Sequence, residues 1–110
     1  MLKPPPKAPD FSIHDAARSG NVEGVRQHLA AGTPVDLVDR EELTPLIRAV
    51  FKGHIEVVEL LIDKGADVNS KNQIGYTPLD EANFSDYTEI GDLLRKHGGK
   101  TGEELKAEGK

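Results

Sequence analysis

The sequence predicts an all-α solenoid of three stacked helix-turn-helix repeats with protruding β-turn loops. One observation is a register: Thr44-Pro45-Leu46 recurs as Thr77-Pro78-Leu79, 33 residues later. Ala49, Glu56, Leu60-Leu61 and Gly65 map by the same step onto Ala82, Glu89, Leu93-Leu94 and Gly98, and one step back reaches Ile13, Ala16, Gly20, Glu23 and Gly32. The other is punctuation, a hydroxyl or a Thr-Pro pair opening each unit and glycines closing its helices. A fixed period of this length with Gly and Pro in register marks a stacked array, in which each unit buries its apolar stripe against its neighbours.

The elements follow in order. Met1-Leu2-Lys3-Pro4-Pro5-Pro6-Lys7-Ala8-Pro9 reads as an extended polyproline tether within residues 1–10, or as the remnant of a trimmed longer segment. It has no apolar h-region, so a cytoplasmic location is expected, although the lack of cysteine leaves the compartment open. The repeat domain spans residues 11–99, with repeats at about 11–43, 44–76 and 77–99. In the first, Ser12 caps a helix beginning Ile13-His14-Asp15. In the second, Thr44 caps a helix whose first residue is Pro45, where a missing N–H costs nothing. Leu46, Ala49 and Val50 share one face, and Gly53 ends the helix in the left-handed conformation. The next helix runs from Ile55 to about Lys64 with Val57, Val58, Leu61 and Ile62 on its apolar side, and Gly65 closes it. In the third, Thr77-Pro78-Leu79-Asp80 has capping-box spacing, and Asp86 replaces the inter-helix Gly and is expected to N-cap a helix running to about Lys96. Residues 100–110 form a helical cap and frayed tail, because Thr101-Gly102-Glu103-Glu104 repeats the capping-box spacing. Six main helices in antiparallel pairs result, with loops around residues 36–43 and 69–76.

The end repeats are polar where the middle one is apolar: Gln27 and His28 replace Leu60 and Leu61, while Gly91 and Arg95 replace Val58 and Ile62. This is expected of a self-capped three-repeat module whose outer faces meet water.

Bulk properties remove several function classes. A net charge of −5 leaves no basic surplus for a phosphate backbone, so no nucleic-acid partner is expected. The apolar run at residues 55–62 is broken by Glu56 and Glu59 and is too short to span a bilayer, so no membrane partner is expected either. The absence of cysteine rules out disulfides, thiolate nucleophiles and cysteine-ligated metal centres. His14, His28, His54 and His97 occupy unrelated repeat positions without metal-ligand spacing. Gly98-Gly99-Lys100-Thr101 lacks the upstream glycine and preceding strand of a phosphate loop. No catalytic residue, metal or cofactor is assigned, and the chain is not expected to be an enzyme.

Thr44-Pro45-Leu46 and Thr77-Pro78-Leu79, together with Gly53-His54-Ile55-Glu56-Val57-Val58-Glu59-Leu60-Leu61 and Gly65-Ala66-Asp67-Val68-Asn69, closely resemble the ankyrin repeat over about residues 11–99. The tail from Leu93 to Lys106 is similar to endings common in bacterial ankyrin proteins. The family's helix-start His is Ile47 in one repeat and Asp80 in the next, and Glu42 stands where the loop pattern expects the Gly found at Gly75. The first loop is therefore expected to be stiffer or differently shaped than the second. Leu61, Asp67, Val68 and Asn69 also match the spacing of ankyrin asparagines that resemble hydroxylase substrates, though Asp67 and Asn69 read first as turn residues.

The resemblance implies a protein-interaction module that is a monomer when free, with its partner on the concave face and loop tips. By register the contact residues are Arg18 and Ser19, then Arg40, Glu41, Leu43, Phe51 and Lys52, then Gln73, Ile74, Tyr76, Phe84 and Ser85. Phe51 and Phe84 are equivalent positions, expected side by side with ring edges close to each other, and Leu43, Ile74 and Tyr76 extend them into an apolar patch. The competing reading packs one Phe beneath a loop. The alternative function is a regulatory or inhibitory subunit that masks an enzyme's active site.

Overall fold

The computed structural model describes residues 3, 4 and 6–109 of the chain. The expected tether falls partly on Met1, Leu2 and Pro5, and the frayed tail partly on Lys110, all of which lie outside the described residues. Seven helices follow in order among the described residues: α1 (Ile13–Ser19), α2 (Val22–Ala30), α3 (Pro45–Phe51), α4 (Ile55–Asp63), α5 (Pro78–Phe84), α6 (Thr88–Lys96) and α7 (Gly102–Ala107). No strand occurs among the described residues.

Local chemistry starts the helices where the register places them. The hydroxyls of Ser12, Thr44 and Thr77 accept the amides of Asp15, Ile47 and Asp80, satisfying one of the donors left open at each helix start. Thr77 and Asp80 form a full capping box, and Thr101 and Glu104 form another at α7. The helix pairs then stack: α1 packs on α3 and α3 on α5, while α2 packs on α4 and α4 on α6. Ile13, Val25, Leu46, Val50, Val57, Val58, Leu61, Leu79 and Leu94 are fully buried in one continuous core. Leu105 of α7 is buried as well.

A ring-on-glycine contact repeats between units. The His54 ring lies on Gly20 and the Tyr87 ring on Gly53, so close that a Cβ at either glycine would fall within 3 Å of ring atoms. Both glycines also have positive φ, +77° and +76°, so the turn needs glycine twice over. Asp86 stands in this glycine slot, as its register implies, but it is not the cap. The N-cap of α6 is Tyr87, and Asp86 takes the left-handed slot itself, at φ 56°. Asparagine and aspartate tolerate that conformation better than most side chains.

Two further expectations are overturned. Glu42 does not reshape the first loop: at φ 62° it adopts the same left-handed turn as Gly75 at φ 100°. The hydrogen bonds match too, Asp39 N to Leu43 O at 3.0 Å and Asn72 N to Tyr76 O at 2.9 Å. The surrounding bonds hold Glu42 there at a cost on the order of 1 kcal/mol. His28 does not meet water. It is buried, with Nε2 donating to Phe11 O at 2.6 Å, Nδ1 at 3.0 Å from Thr33 Oγ1, and the Phe11 ring edge-on against it. Gln27 and Arg95 are exposed.

Candidate partner-binding surface

The first helices and the two loops carry the residues singled out from the sequence. Each loop is closed by a single side chain that the sequence analysis did not single out. Asp39 Oδ1 accepts the amides of Glu41 and Leu43 at 2.9 and 3.1 Å, and Asn72 Oδ1 accepts those of Ile74, Gly75 and Tyr76 at 2.9–3.0 Å. These two residues share one repeat position. A second pair bridges adjacent loops at the same step: Asp36 accepts Asp67 N at 3.1 Å, and Asn69 Oδ1 accepts Lys100 N at 2.8 Å. Asn69 Nδ2 also donates to Gly98 O at 3.1 Å, so the side chain of Asn69 is engaged as a brace.

On this scaffold Arg18, Ser19, Arg40, Glu41, Phe51, Lys52, Gln73, Ile74, Tyr76, Phe84 and Ser85 are exposed, and Leu43 is half-buried. They do not form one cluster. Arg18, Arg40 and Glu41 line an open groove of about 780 Å³ with Ser12, His14, Asp15, Leu37, Val38, Asp39 and Arg48. Gln73 Nε2 donates to Glu42 Oε2 at 2.7 Å, joining the two loops. Ser19 Oγ donates to Ala16 O at 3.3 Å. The Tyr76 and Phe84 rings meet edge to face, centroids 4.9 Å apart. Phe51 and Phe84 are 53% and 61% exposed, and no ring contact between them occurs among the described residues. Tyr76 is the partner of Phe84, and Lys52 Nζ lies 5.6 Å from the centre of the Phe51 ring. The loop just before α5 delivers Tyr76 onto the end of that helix, where it takes the edge that Phe51 was expected to fill.

The groove contains two groups the sequence reading missed. Arg48 donates through Nε to Asp39 Oδ2 at 2.9 Å, and its Nη2 lies 2.8 Å from Asp39 Oδ2 and 3.1 Å from Glu41 Oε1. His14, also buried, donates through Nε2 to Leu37 O at 2.6 Å. Exposed Leu37 and Val38 add apolar surface beside them. Register alone offered one signal, since Asp15, Arg48 and Glu81 share a repeat position with alternating charge.

Burial pushes the Asp39 carboxyl up, but hydrogen bonds from the Leu43 amide, the Arg48 guanidinium and the Glu41 amide outweigh it and hold the group below its ordinary value. Stability from a depressed carboxyl is present above its unfolded value and is lost as pH falls through the lower folded one. Asp39→Asn isolates this contribution, because Asn72 already holds the equivalent loop with an amide. The variant is expected to be less stable than the parent at neutral pH. In urea melts across a pH series, the gap should close below the ordinary carboxylate range, and a gap that stays constant would dismiss the charge pairing.

Among the described residues, no three of the His, Asp and Glu side chains converge as a metal-holding group, and no helix is long and apolar enough to cross a membrane. The family model for ankyrin repeats, in three copies, matches residues 13–104. Similarity also extends to an acyl-CoA-binding domain-containing protein 4 from Oryza sativa subsp. japonica, 46% identical over 48 residues. That match covers 44% of this chain, and the chain spans 14% of the rice protein's length.

Proposed function

The chain belongs to the ankyrin repeat family, and from that premise we propose that it is a non-catalytic module binding a protein partner through its first helices and loop tips. Ankyrin repeats are generally protein–protein interaction modules. The observation that carries the reading is the run of exposed large apolar side chains on that side: Phe51, Ile74, Tyr76 and Phe84 are 53%, 77%, 39% and 61% exposed. Rings left in water at equivalent positions of adjacent repeats are what interface anchors require. In the neighbouring groove Arg48 is engaged with Asp39 and Glu41.

Affinity pull-down from the host with the intact chain and with a Phe51→Ala, Phe84→Ala double variant tests this. A protein retained by the parent and released by the variant is expected. Retention by both would move the contact surface elsewhere on the chain. A retained enzyme that loses activity when bound would favour the regulatory or inhibitory reading over a scaffold.

A further inference from the structure

On the first-helix side of the stack, three register columns carry the side chains that face outward: Asp15, Arg48 and Glu81; Arg18, Phe51 and Phe84; Ser19, Lys52 and Ser85. In the first two repeats Asp15, Arg18 and Arg48 of these columns are settled in ion pairs. Arg18 Nη2 donates to Asp15 Oδ1 at 2.9 Å, and Arg48 grips Asp39 and Glu41. Towards the far end of the chain, Arg95 holds Glu104 at 2.8 Å and Lys100 holds Glu108. Glu81 differs. It is half-buried, and among the described residues its carboxylate has neither an ion pair nor a hydrogen bond. The preceding repeat places a cation at the equivalent position, but that cation is Arg48, already turned onto the first loop. Burial and the neighbouring Asp80 push the Glu81 carboxyl above its ordinary value, as expected of an acid that lacks a counter-charge in the free protein.

Beside this lone carboxylate stand the rings. Phe84 lies three residues along α5 from Glu81, the spacing that puts two side chains on the same helix face. Tyr76 meets Phe84 edge to face at 4.9 Å, and both remain exposed to water. An uncompensated acid next to an exposed aromatic pair is complementary to one kind of side chain. A guanidinium is planar, weakly hydrated and always charged, so it stacks on a ring while donating to a carboxylate. We propose that Tyr76, Phe84 and Glu81 form the seat for a basic side chain, arginine foremost, carried by an extended segment of the partner. The segment lies across the first-helix side of the third repeat. The rings hold the flat faces or stem of the basic side chain, and Glu81 receives its N–H groups. The chain's net charge of −5 favours the approach of such a segment.

This seat rests on the proposed interaction module, and a random peptide library displayed on phage separates the two. The library is selected against the full chain, and selected peptides are remade and measured by fluorescence polarisation. Peptides carrying an Arg or Lys at a shared position are expected. Glu81→Gln should weaken them about tenfold, and Tyr76→Ala and Phe84→Ala by at least as much, with helical content unchanged by circular dichroism. Glu81→Lys should redirect selection towards peptides with Asp or Glu at that position, which a merely structural role for Glu81 would not do. Acidic or neutral peptides from the parent, or basic ones indifferent to Glu81→Gln, would overturn the seat while leaving the interaction module standing. Peptides that bind only away from the loops and first helices, or a library that yields no binder at all, would count against both.

Discussion

A chain lacking residues 11–31 is expected to show no cooperative unfolding transition in urea. In the intact chain α1 packs on α3 and α2 on α4, so the first repeat supplies one whole wall of the core of the second. Ile13, Ala16, Ala17 and Val25 are 0–1% exposed against that wall. Their removal turns Leu46, Ala49, Val50, Val57 and Leu61, all fully buried in the intact chain, towards water. In a repeat array stability is close to a sum of unit terms and nearest-neighbour interface terms, and the interfaces are the favourable part. Two repeats keep a single interface and fall below the number that usually folds. Total domain stability is only about 5–15 kcal/mol, so losing half of the interfaces consumes it. The lost contacts also include His28 on Phe11 and His54 Nε2 on Arg18 O, the latter a 2.9 Å bond between repeats. Circular dichroism against urea is the measurement, with a chain lacking only residues 1–9 as the control that should melt near the parent. A sharp transition at the parent midpoint after deletion of residues 11–31 would mean that the second and third repeats are self-sufficient.

Much of this arrangement was legible in the sequence, for a physical reason. Helix starts depend on bonds between residues three apart, Thr44 to Ile47 or Thr77 to Asp80, and helix ends on a left-handed residue such as Gly53. Such features are local, and the 33-residue register then propagates each local reading to the other units. The misreadings required knowledge of which groups fold back against each position. The register puts Asp86 in the inter-helix glycine slot, and its side chain also suits a cap, but the cap of α6 is Tyr87. Asp86, at φ 56°, is in the left-handed region of Gly20 and Gly53, and at those two glycines the next repeat lays a ring on the turn. Glu42 was read as altering its loop, yet Asp39 and Gln73 hold the loop in the shape of its neighbour. His28 reads as solvent-facing from its place on the outer repeat, yet Phe11, 17 residues away in the same repeat, covers it. The candidate surface divides in the same way. Exposure of Phe51 and Phe84 follows from their place at the end of the first helix, whereas the Tyr76–Phe84 contact and the Arg48 cluster depend on how the loops fold back.

Leu61→Ala and Phe84→Ala are expected to separate packing from binding. Leu61 is fully buried on α4 within the continuous core, so its truncation leaves a cavity that the neighbouring side chains only partly close. The cost is about 2–5 kcal/mol, enough to remove a large part of the stability of a small domain. Phe84 is 61% exposed, and its one aromatic contact is the edge of Tyr76. Losing that contact should cost under about 1 kcal/mol. Phe51, 53% exposed beside Lys52, should behave in the same way. The order reverses for partner binding: a ring at the centre of an interface typically carries about 2 kcal/mol or more when truncated. Urea midpoints and partner affinities of the three variants, measured on chains still folded under the binding conditions, give the comparison. If Phe51→Ala and Phe84→Ala lower the urea midpoint as far as Leu61→Ala does, both rings serve the core and the proposed surface is misplaced. If they leave both stability and binding untouched, the partner meets another side of the stack. Only stable variants with weakened binding place the contact at these rings.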